Sequence, residues 1–209
     1  GLELRCLAHY TYLWDKGKYV QEVLGGDIHT ANQKAAGLET RDQAKTFIYA
    51  LNYGAGDAKI GSVIGKGAAE GRKIKKQFFE SLPGLKKLMK EVELAVDRRG
   101  YIKGLDQRPL PIRAKHAALN VLLQSAGAIV MKQATVLMDQ KFTEKGWTPD
   151  EVQQVAHIHD EVQIKAREDL AEEVGKIAVS SIQETTRILG LDCPMNGEFK
   201  IGNNWADTH

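Results

Sequence analysis

Two short runs of alternating apolar residues, separated by only two residues, constrain the fold of this chain more than any other feature. The runs cover 152–158 and 161–166, and His159 and Asp160 join them. Alternation with a period of two predicts strands, and a two-residue connection predicts a hairpin. Most other segments have helical periodicity, so we predict an α+β fold that is mostly helical, with a small antiparallel sheet.

The predicted helices follow from apolar spacing and from signals at their ends. The best-marked one covers 41–54, where Thr40 and Gln43 form a capping-box pair and the region of Gly54 and Gly56 marks the end. Gly and Pro residues within 100–113 predict a second hairpin, and the segment GEFKIG predicts a short terminal strand. The remaining predicted helices lie near 4–14, after the possible N-cap Asp27, and at 57–65, 68–81, 82–99, 115–143 and 167–189.

Charge is distributed unevenly along the chain. Residues 41–116 hold 17 Lys and Arg against 8 Asp and Glu, a net charge of +9, whereas the other residues hold 12 against 19, a net charge of −7. A basic middle segment between acidic flanks suggests contact with a polyanion. Solvated helix faces would give the same count, and both interpretations stay open at this point.

The two cysteines, Cys6 and Cys193, have neither a disulfide framework nor a metal-binding spacing. We expect them to be small buried residues of a protein in a reducing compartment. We see no apolar run of membrane-spanning length and no signal-peptide pattern at the start. These observations predict a soluble, intracellular protein.

Four side chains recur at intervals of four along the 41–54 helix: Arg41, Lys45, Tyr49 and Tyr53. This spacing places them on one stripe. Cations in the first turns oppose the helix macrodipole unless an external anion, such as a phosphate chain, binds there. Pairing with nearby acids is the alternative, but two rings that could stack on a base favour a nucleotide.

The segment RDQAKTFIYALNYG, at 41–54, resembles the R-x3-K-x3-[FY]-x3-YG signature of the fingers helix in family A (DNA polymerase I type) DNA polymerases. Further similar elements follow the family's order over essentially the whole chain, most like its phage replicative branch: GLELR, DIHT, HAALNVLLQSAGA, HIHDEVQ and GNNWADTH. The resemblance implies a right-hand polymerase fold. Residues 1–26 and 100–209 would form palm, and residues 27–99 would form the fingers.

The resemblance implies a DNA-directed DNA polymerase that adds dNTPs to a primer 3′-hydroxyl by two-metal nucleotidyl transfer. Its partners would be primer–template DNA and dNTP, its cofactor would be Mg²⁺, and its location would be the cytoplasm of a bacterial or phage-infected cell. Such a site needs carboxylates that converge on the cations. Asp160, at the hairpin tip, would be one metal ligand.

The resemblance also implies which side chains bind the incoming dNTP. Arg41 and the catalytic Lys45 would hold the triphosphate, and His29 would be a further phosphate contact. Tyr49 would flank the sugar and base, and a Tyr there implies tolerance of nucleotides that lack a 3′-hydroxyl. A first-turn helix residue for His29 and a core ring for Tyr49 are the alternatives.

Glu3 would be the steric gate that excludes ribonucleotides, hydrogen-bonded to Tyr53. Tyr53 would also border the nascent base pair, and a core ring is its alternative role. Both residues therefore belong to the predicted dNTP site.

The predicted DNA contacts follow from the same resemblance. His116, Asn120 and Gln124 would face the minor groove, where uncharged donors can monitor geometry at every base pair. An ordinary polar helix face is the alternative. Contacts with backbone phosphates, which position the duplex, are expected from Arg108, Arg113 and Lys115. Gln107 stands where the family usually has Gly, which leaves the exact placement of Arg108 open.

The carboxylates at the hairpin tip are expected to differ in role. Successive strand side chains point to opposite faces, so Glu161 should point away from Asp160 and have a secondary catalytic role. His159 would contact the primer terminus, whereas His157 lies outside the motif and is expected to pack.

The family's other metal-binding Asp would precede Gly1. We therefore expect the chain to polymerise DNA only with a separate N-terminal portion that carries this Asp, the thumb and the exonuclease region. A split gene, an intervening element and a fragment are possible origins. A non-catalytic DNA-binding subunit, or an inactive polymerase fragment, is the alternative function.

Overall fold

The computed structural model describes residues 1–208 and divides the chain into two compact units. The first unit comprises Gly1 and Glu3–Ser125, and the second comprises Leu2 and the residues from Ala126 onwards. The predicted boundary between fingers and palm, at 99/100, does not coincide with this division. The palm and fingers ranges stay predictions.

The first unit is mostly helical. Its elements are α1 (Leu2–Asp15), α2 (Lys18–Leu24), α3 (Ile28–Ala36), α4 (Arg41–Asn52), α5 (Asp57–Val63), α6 (Ala68–Ser81), α7 (Pro83–Arg99), β1 (Tyr101–Lys103) and β2 (Pro109–Pro111). The two strands form an antiparallel pair in which Ile102 lies opposite Leu110. The predicted helices and hairpin of this region are confirmed, and α2 is an additional helix that we did not predict.

The core of the first unit is built around the buried face of α4. Ala44, Phe47, Ile48 and Leu51 are at most 2% exposed. The ring of Phe47 meets that of Phe78 from α6 edge to face, with centroids 4.9 Å apart. Burying such a ring stabilises the fold by about 1.5–3 kcal/mol, and the aromatic pair adds about 0.5–1.5 kcal/mol. This packing fixes which face of α4 remains accessible.

Close backbone contact between α5 and α6 explains two of the glycines. A Cβ atom at Gly71 would lie 1.9 Å from the carbonyl oxygen of Asp57, and one at Gly61 would lie 2.1 Å from that of Gly67. Both distances are far below van der Waals contact, so only glycine allows the two helices to approach this closely.

A 3₁₀ turn at Lys115–Ala117 leads into α8 (Ala118–Glu144), which contributes residues to both units. The helix from Lys115 to Glu144 is long and apolar enough to cross a bilayer by length and composition, contrary to our expectation. Half of the most apolar stretch of this helix is buried inside the protein. The core helix of a soluble protein can have the same length and composition.

The second unit contains the predicted hairpin. Its further elements are β3 (Val152–Ile158), β4 (Glu161–Ala166), a 3₁₀ turn at Glu168–Leu170, α9 (Ala171–Ile188) and α10 (Trp205–Thr208). The strands are antiparallel, with Ile158 opposite Glu161 and an irregularity between Gln154 and Ala156. The strand bounds are as predicted. The apolar side of the β3–β4 hairpin contributes to a core that includes Met138, Phe142, Val152 and Val174.

The predicted terminal strand near GEFKIG is wrong, because residues 194–202 form no strand. The segment packs on α9 instead. The ring of Phe199 lies so close to Gly175 that a Cβ there would be 2.2 Å from a ring carbon, and the amide of Met195 donates to the Thr186 hydroxyl over 2.8 Å. Residues 1–208 contain two separate two-stranded sheets, whereas we predicted one small antiparallel sheet. The expectation that Cys6 and Cys193 are buried is confirmed.

Candidate active site

Hydrogen bonds local to α4 fix both of its ends. The Thr40 hydroxyl accepts from the amide of Gln43, and the Gln43 side chain accepts from the amide of Thr40, each over 3.2 Å. This is the predicted capping box. At the other end, the amides of Gly54 and Ala55 donate back into the last turn, and Gly54 has a φ of 75°. The pattern is a Schellman motif, which ends the helix immediately after Tyr53.

The exposed face of α4 forms an open groove. Lys45, Tyr49 and Tyr53 line it, together with Asp42, Thr46 and Ala50. Lys45 is exposed and forms no ion pair with any residue from 1 to 208. Tyr53 is 58% exposed and Tyr49 is half-buried. The groove therefore presents an available cation beside two aromatic rings.

Arg41, the first residue of the stripe, is paired with an acid. Its Nε donates to the Asp27 carboxylate, which is the N-cap of α3. The ion pair holds the pKa of Asp27 below its usual range and raises the pKa of Arg41. This is the alternative that the sequence left open for Arg41. Asp27 was predicted only as an N-cap, because no local pattern signals a pairing across fourteen residues.

The predicted phosphate contact His29 lies in the first turn of α3. Its ring centroid is 6.3 Å from that of Tyr49. Burial lowers the pKa of His29, and the neighbouring Arg41 lowers it further. The imidazole is therefore mostly neutral at pH 7, and it could contact a phosphate as a neutral donor rather than as a cation.

The side chain of Gln124 joins two residues of the predicted dNTP site. Its amide nitrogen donates to the Glu3 carboxylate and lies 3.4 Å from the Tyr53 hydroxyl. We expected Glu3 and Tyr53 to be hydrogen-bonded to each other, and the structure places the Gln124 amide in contact with both. Gln124, a predicted minor-groove donor, thus also contacts two residues of the predicted dNTP site.

The other predicted minor-groove residues lie beside the end of α4. A Cβ at Gly54 would be 2.1 Å from the carbonyl oxygen of His116, so glycine permits the contact between α4 and the turn before α8. His116 is exposed, and the amide nitrogen of Asn120 is buried with no hydrogen-bond partner in residues 1–208. Gly54 therefore allows the end of α4, beside Tyr53, to lie next to the start of the helix that we predict to contact DNA.

Two of the three cations predicted to contact DNA phosphates already have acidic partners. Arg108 pairs with Asp106, and Lys115 pairs with Asp97, each over 2.6 Å. The pairing raises the pKa of Lys115. Arg113 is exposed and has no ion pair in residues 1–208.

The departure of Gln107 from the family pattern has a structural consequence. Its φ is 66°, in the left-handed region that favours glycine. Gln107 therefore stands in a backbone conformation that glycine adopts more readily, and Arg108 follows directly in the loop before β2.

The two carboxylates at the tip of the β3–β4 hairpin lie in different surroundings. Asp160 is exposed in the two-residue turn, and His159 beside it has a φ of 56°. Glu161 is half-buried, and its carboxylate accepts hydrogen bonds from the Gln163 amide and from Trp205 Nε1, the latter over 2.9 Å. No sequence pattern that we used predicts the contact with Trp205.

His157 does not pack as expected. It is exposed, and its Nδ1 lies 3.3 Å from the Thr135 hydroxyl. An outward-facing position on β3 explains the difference, because the opposite face of the strand contributes to the core.

The residues present do not build a complete magnesium site. Residues 1–208 contain no group of three or more His, Cys, Asp or Glu side chains that could hold a metal ion. Mg²⁺ is bound through one or two carboxylates together with water and substrate oxygens. Asp160 suits one such position, but two cations require further ligands.

Comparisons with known proteins agree with the motifs. The family model described as DNA polymerase family A matches residues 1–207. The DNA-directed DNA polymerases of Enterobacteria phage T3 and Escherichia phage T7 are each 42% identical over 100% of this chain. DNA polymerase I of Streptococcus pneumoniae is 26% identical over 99% of the chain. The chain spans about a third, 32%, of the length of the two phage relatives and 25% of the pneumococcal one.

A solved structure shows the same fold. It is the POL domain of Pol1 from M. smegmatis in complex with DNA primer-template and dNTP, which matches with a TM-score of 0.81 and 21% sequence identity. The match covers 93% of this chain and 36% of that one. The predicted α+β polymerase fold is confirmed, and the family match over nearly all residues shows that this chain belongs to DNA polymerase family A.

Proposed function

We propose that this chain forms the fingers and part of the palm of a DNA-directed DNA polymerase, which adds dNTPs to a primer 3′-hydroxyl. The observation that carries the proposal is the groove on α4, where Lys45 forms no ion pair with any acid in residues 1–208 and lies beside Tyr49 and Tyr53. A cation next to two rings suits a ligand that joins polyphosphate to a base.

In this proposal each side chain of the stripe has a distinct task. Lys45 and Arg41 bind the triphosphate and offset negative charge that develops on it, and His29 adds a neutral contact. The rings of Tyr49 and Tyr53 border the sugar and base. Glu3, held by Gln124, occupies the space that a ribonucleotide 2′-hydroxyl would need.

Primer–template DNA is the second proposed partner. His116, Asn120 and Gln124 contact the minor groove, and His159 contacts the primer terminus. Arg108, Arg113 and Lys115 contact phosphates, which requires Arg108 and Lys115 to exchange their acidic partners for phosphate oxygens. The solved complex of the mycobacterial relative, which contains primer-template DNA and dNTP, supports both partners.

Asp160 supplies one metal ligand in this proposal, and Glu161 assists from the same turn. Bound Mg²⁺ would lower the energy of the attacking hydroxyl's ionised form and offset charge on the phosphates. The remaining ligands come from another segment of the polymerase, since residues 1–208 hold no further cluster. The greater length of the phage relatives, of which this chain spans 32%, is consistent with ligands from a further polymerase segment. The phage kinship also supports replication in the cytoplasm of an infected bacterial cell.

Reconstitution tests this proposal. The chain would be mixed with a polypeptide that supplies the N-terminal two thirds of the phage T7 relative, and extension of a labelled primer by dNTPs would be measured in Mg²⁺. We expect extension from the mixture and none from either polypeptide alone. A mixture that forms a complex but does not extend the primer would count against the polymerase assignment.

A non-catalytic DNA-binding subunit is the second candidate, and the lack of a metal cluster in residues 1–208 favours it. Such a subunit would bind primer–template without needing Asp160. If the chain binds DNA equally well with and without dNTP, and no complementing polypeptide restores extension, this second function is the better one.

A further inference from the structure

We propose that Asp27 is an internal competitor for Arg41: its carboxylate occupies the guanidinium until a polyphosphate displaces or shares it, and so limits how tightly the site holds polyphosphates. The inference rests on the proposed function, in which Arg41 binds the triphosphate. It adds a residue that the family motifs quoted above do not assign to nucleotide binding.

The Asp27 carboxylate is held in place by three donors from two helices. The His29 amide donates to Oδ1 over 3.1 Å, and the Thr30 hydroxyl donates to Oδ2 over 2.9 Å. Arg41 Nε, from the first turn of α4, is the third donor. The first two contacts are local to α3, so the carboxylate stays at this position when Arg41 releases it.

The ion pair is accessible to a ligand. The side chains of Arg41 and Asp27 are 51% and 40% exposed to solvent. An anion from solvent can therefore reach the guanidinium without unfolding either helix. Lys45, one turn further along α4, has no such acidic partner within the described residues 1–208. The two predicted triphosphate contacts therefore differ in that only Arg41 has to give up, or share, a carboxylate.

Two opposing effects decide whether Asp27 strengthens or weakens polyphosphate binding. The bond from Asp27 orders the guanidinium, which favours binding, but the carboxylate also repels the phosphate oxygens. A polyphosphate carries several negative charges, whereas the ordering acts through one hydrogen bond. A unit charge about 4 Å from another changes binding about five-fold even in water. Repulsion therefore outweighs ordering, and Asp27 weakens polyphosphate binding.

The consequence for the proposed reaction concerns the product as well as the substrate. Nucleotidyl transfer joins the nucleoside and its α-phosphate to the primer and releases pyrophosphate, which carries the β- and γ-phosphates but not the base that the tyrosines border. A carboxylate that recaptures Arg41 favours departure of this anion. Asp27 thus shifts selectivity towards ligands that are also held through the base.

Binding of inorganic tripolyphosphate to the chain, measured by titration calorimetry without divalent cations, tests the inference. Asp27→Asn removes the charge and retains an N-cap residue as good as Asp. We expect this variant to bind tripolyphosphate about five-fold more tightly than the unsubstituted chain. Asp27→Ser, also a favoured N-cap, should give the same gain, and far-ultraviolet circular dichroism checks that both variants fold.

A matched control and a double substitution separate this effect from a general loss of negative charge. Asp57, on α5, is also paired with cations, but its partners Arg72 and Lys75 lie on α6 and are not part of the proposed site. Asp57→Asn should change tripolyphosphate affinity less than two-fold. In an Arg41→Ala background, Asp27→Asn should likewise have less than a two-fold effect, because without the guanidinium no phosphate is held close enough to residue 27 to be repelled by its carboxylate.

The failures of the two proposals are distinguishable. Binding that is weakened by Arg41→Ala but unchanged or weakened by Asp27→Asn overturns the inference and leaves the proposed triphosphate site intact. Binding that neither Arg41→Ala nor Lys45→Ala weakens overturns the proposed site and the inference together. A gain from Asp27→Asn that persists without Arg41 also overturns the inference.

Discussion

The α4 helix and the tip of the β3–β4 hairpin carry different parts of the proposed chemistry, and they differ in how much each provides alone. α4 places Lys45, Tyr49 and Tyr53 along one groove, on a helix with hydrogen bonds at both ends. The hairpin tip provides one exposed carboxylate, Asp160, whereas its neighbour Glu161 is engaged by other side chains.

This difference follows from the geometry that each ligand requires. An elongated nucleotide can be contacted by side chains that repeat every four residues on a single helix. A pair of metal ions requires several ligands that converge from different directions, which one hairpin turn cannot supply. We therefore expect nucleotide binding to be a property of α4 itself, and catalysis to depend on assembly with a further segment.

Replacing the exposed carboxylate should have the largest effect on the assembled polymerase. Asp160→Asn keeps the size of the side chain but removes the charge that would bind a cation, which is worth several kcal/mol in the transition state. We expect primer extension by the reconstituted polymerase to fall about 10³-fold, measured as single-turnover rate. Asp150→Asn, at another exposed acid near the hairpin, should leave the rate unchanged. Equal rates for the two variants would rule out a metal-binding role for Asp160.

Replacing the available cation on α4 should affect nucleotide affinity instead. A hydrogen bond to a charged group contributes about 1.5–3 kcal/mol, so Lys45→Ala should weaken tripolyphosphate binding by the chain about 10–100-fold. Lys59→Ala, at an exposed lysine on α5, is the matched control and should change affinity less than two-fold. If both variants lose affinity equally, binding reflects the overall positive charge rather than the groove.

The second carboxylate of the hairpin should matter less than the first. Glu161 accepts from Gln163 and Trp205, so its charge orders the turn rather than facing outwards. Residues that orient metal ligands typically contribute 10–100-fold, and we expect Glu161→Gln to slow primer extension about 10-fold. The magnesium concentration for half-maximal rate should rise in the same variant. A loss as large as that of Asp160→Asn would mean that both carboxylates bind metal.

The sequence allowed accurate prediction wherever the controlling contacts are local. The capping box of Thr40 and Gln43, the Schellman ending at Gly54 and the bounds of the β3–β4 hairpin all depend on residues within a few positions of one another. Side chains along one helix are equally local, which is why the common face of Lys45, Tyr49 and Tyr53 could be predicted from their spacing.

Contacts between residues distant in sequence were not predictable in the same way. The pairing of Asp27 with Arg41 and that of Glu161 with Trp205 depend on how separate elements pack. The terminal segment shows the same limit. Its alternating pattern is typical of a strand. In the structure, however, the ring of Phe199 packs directly against Gly175 of α9, and the segment joins no sheet.

The smallest expected effect tests whether α4 is organised by its own residues. Thr40→Ala removes the hydroxyl that accepts from the Gln43 amide, and loss of such a cap costs about 1 kcal/mol. We expect the free energy of unfolding in urea to fall by about this amount, whereas Thr40→Ser, which keeps the hydroxyl, should be nearly unchanged. Because α4 is also held by its buried face, tripolyphosphate affinity should change less than two-fold. A much larger loss of affinity would show that the groove depends on the cap, and the contrast between a self-contained helix and a dependent hairpin would no longer hold.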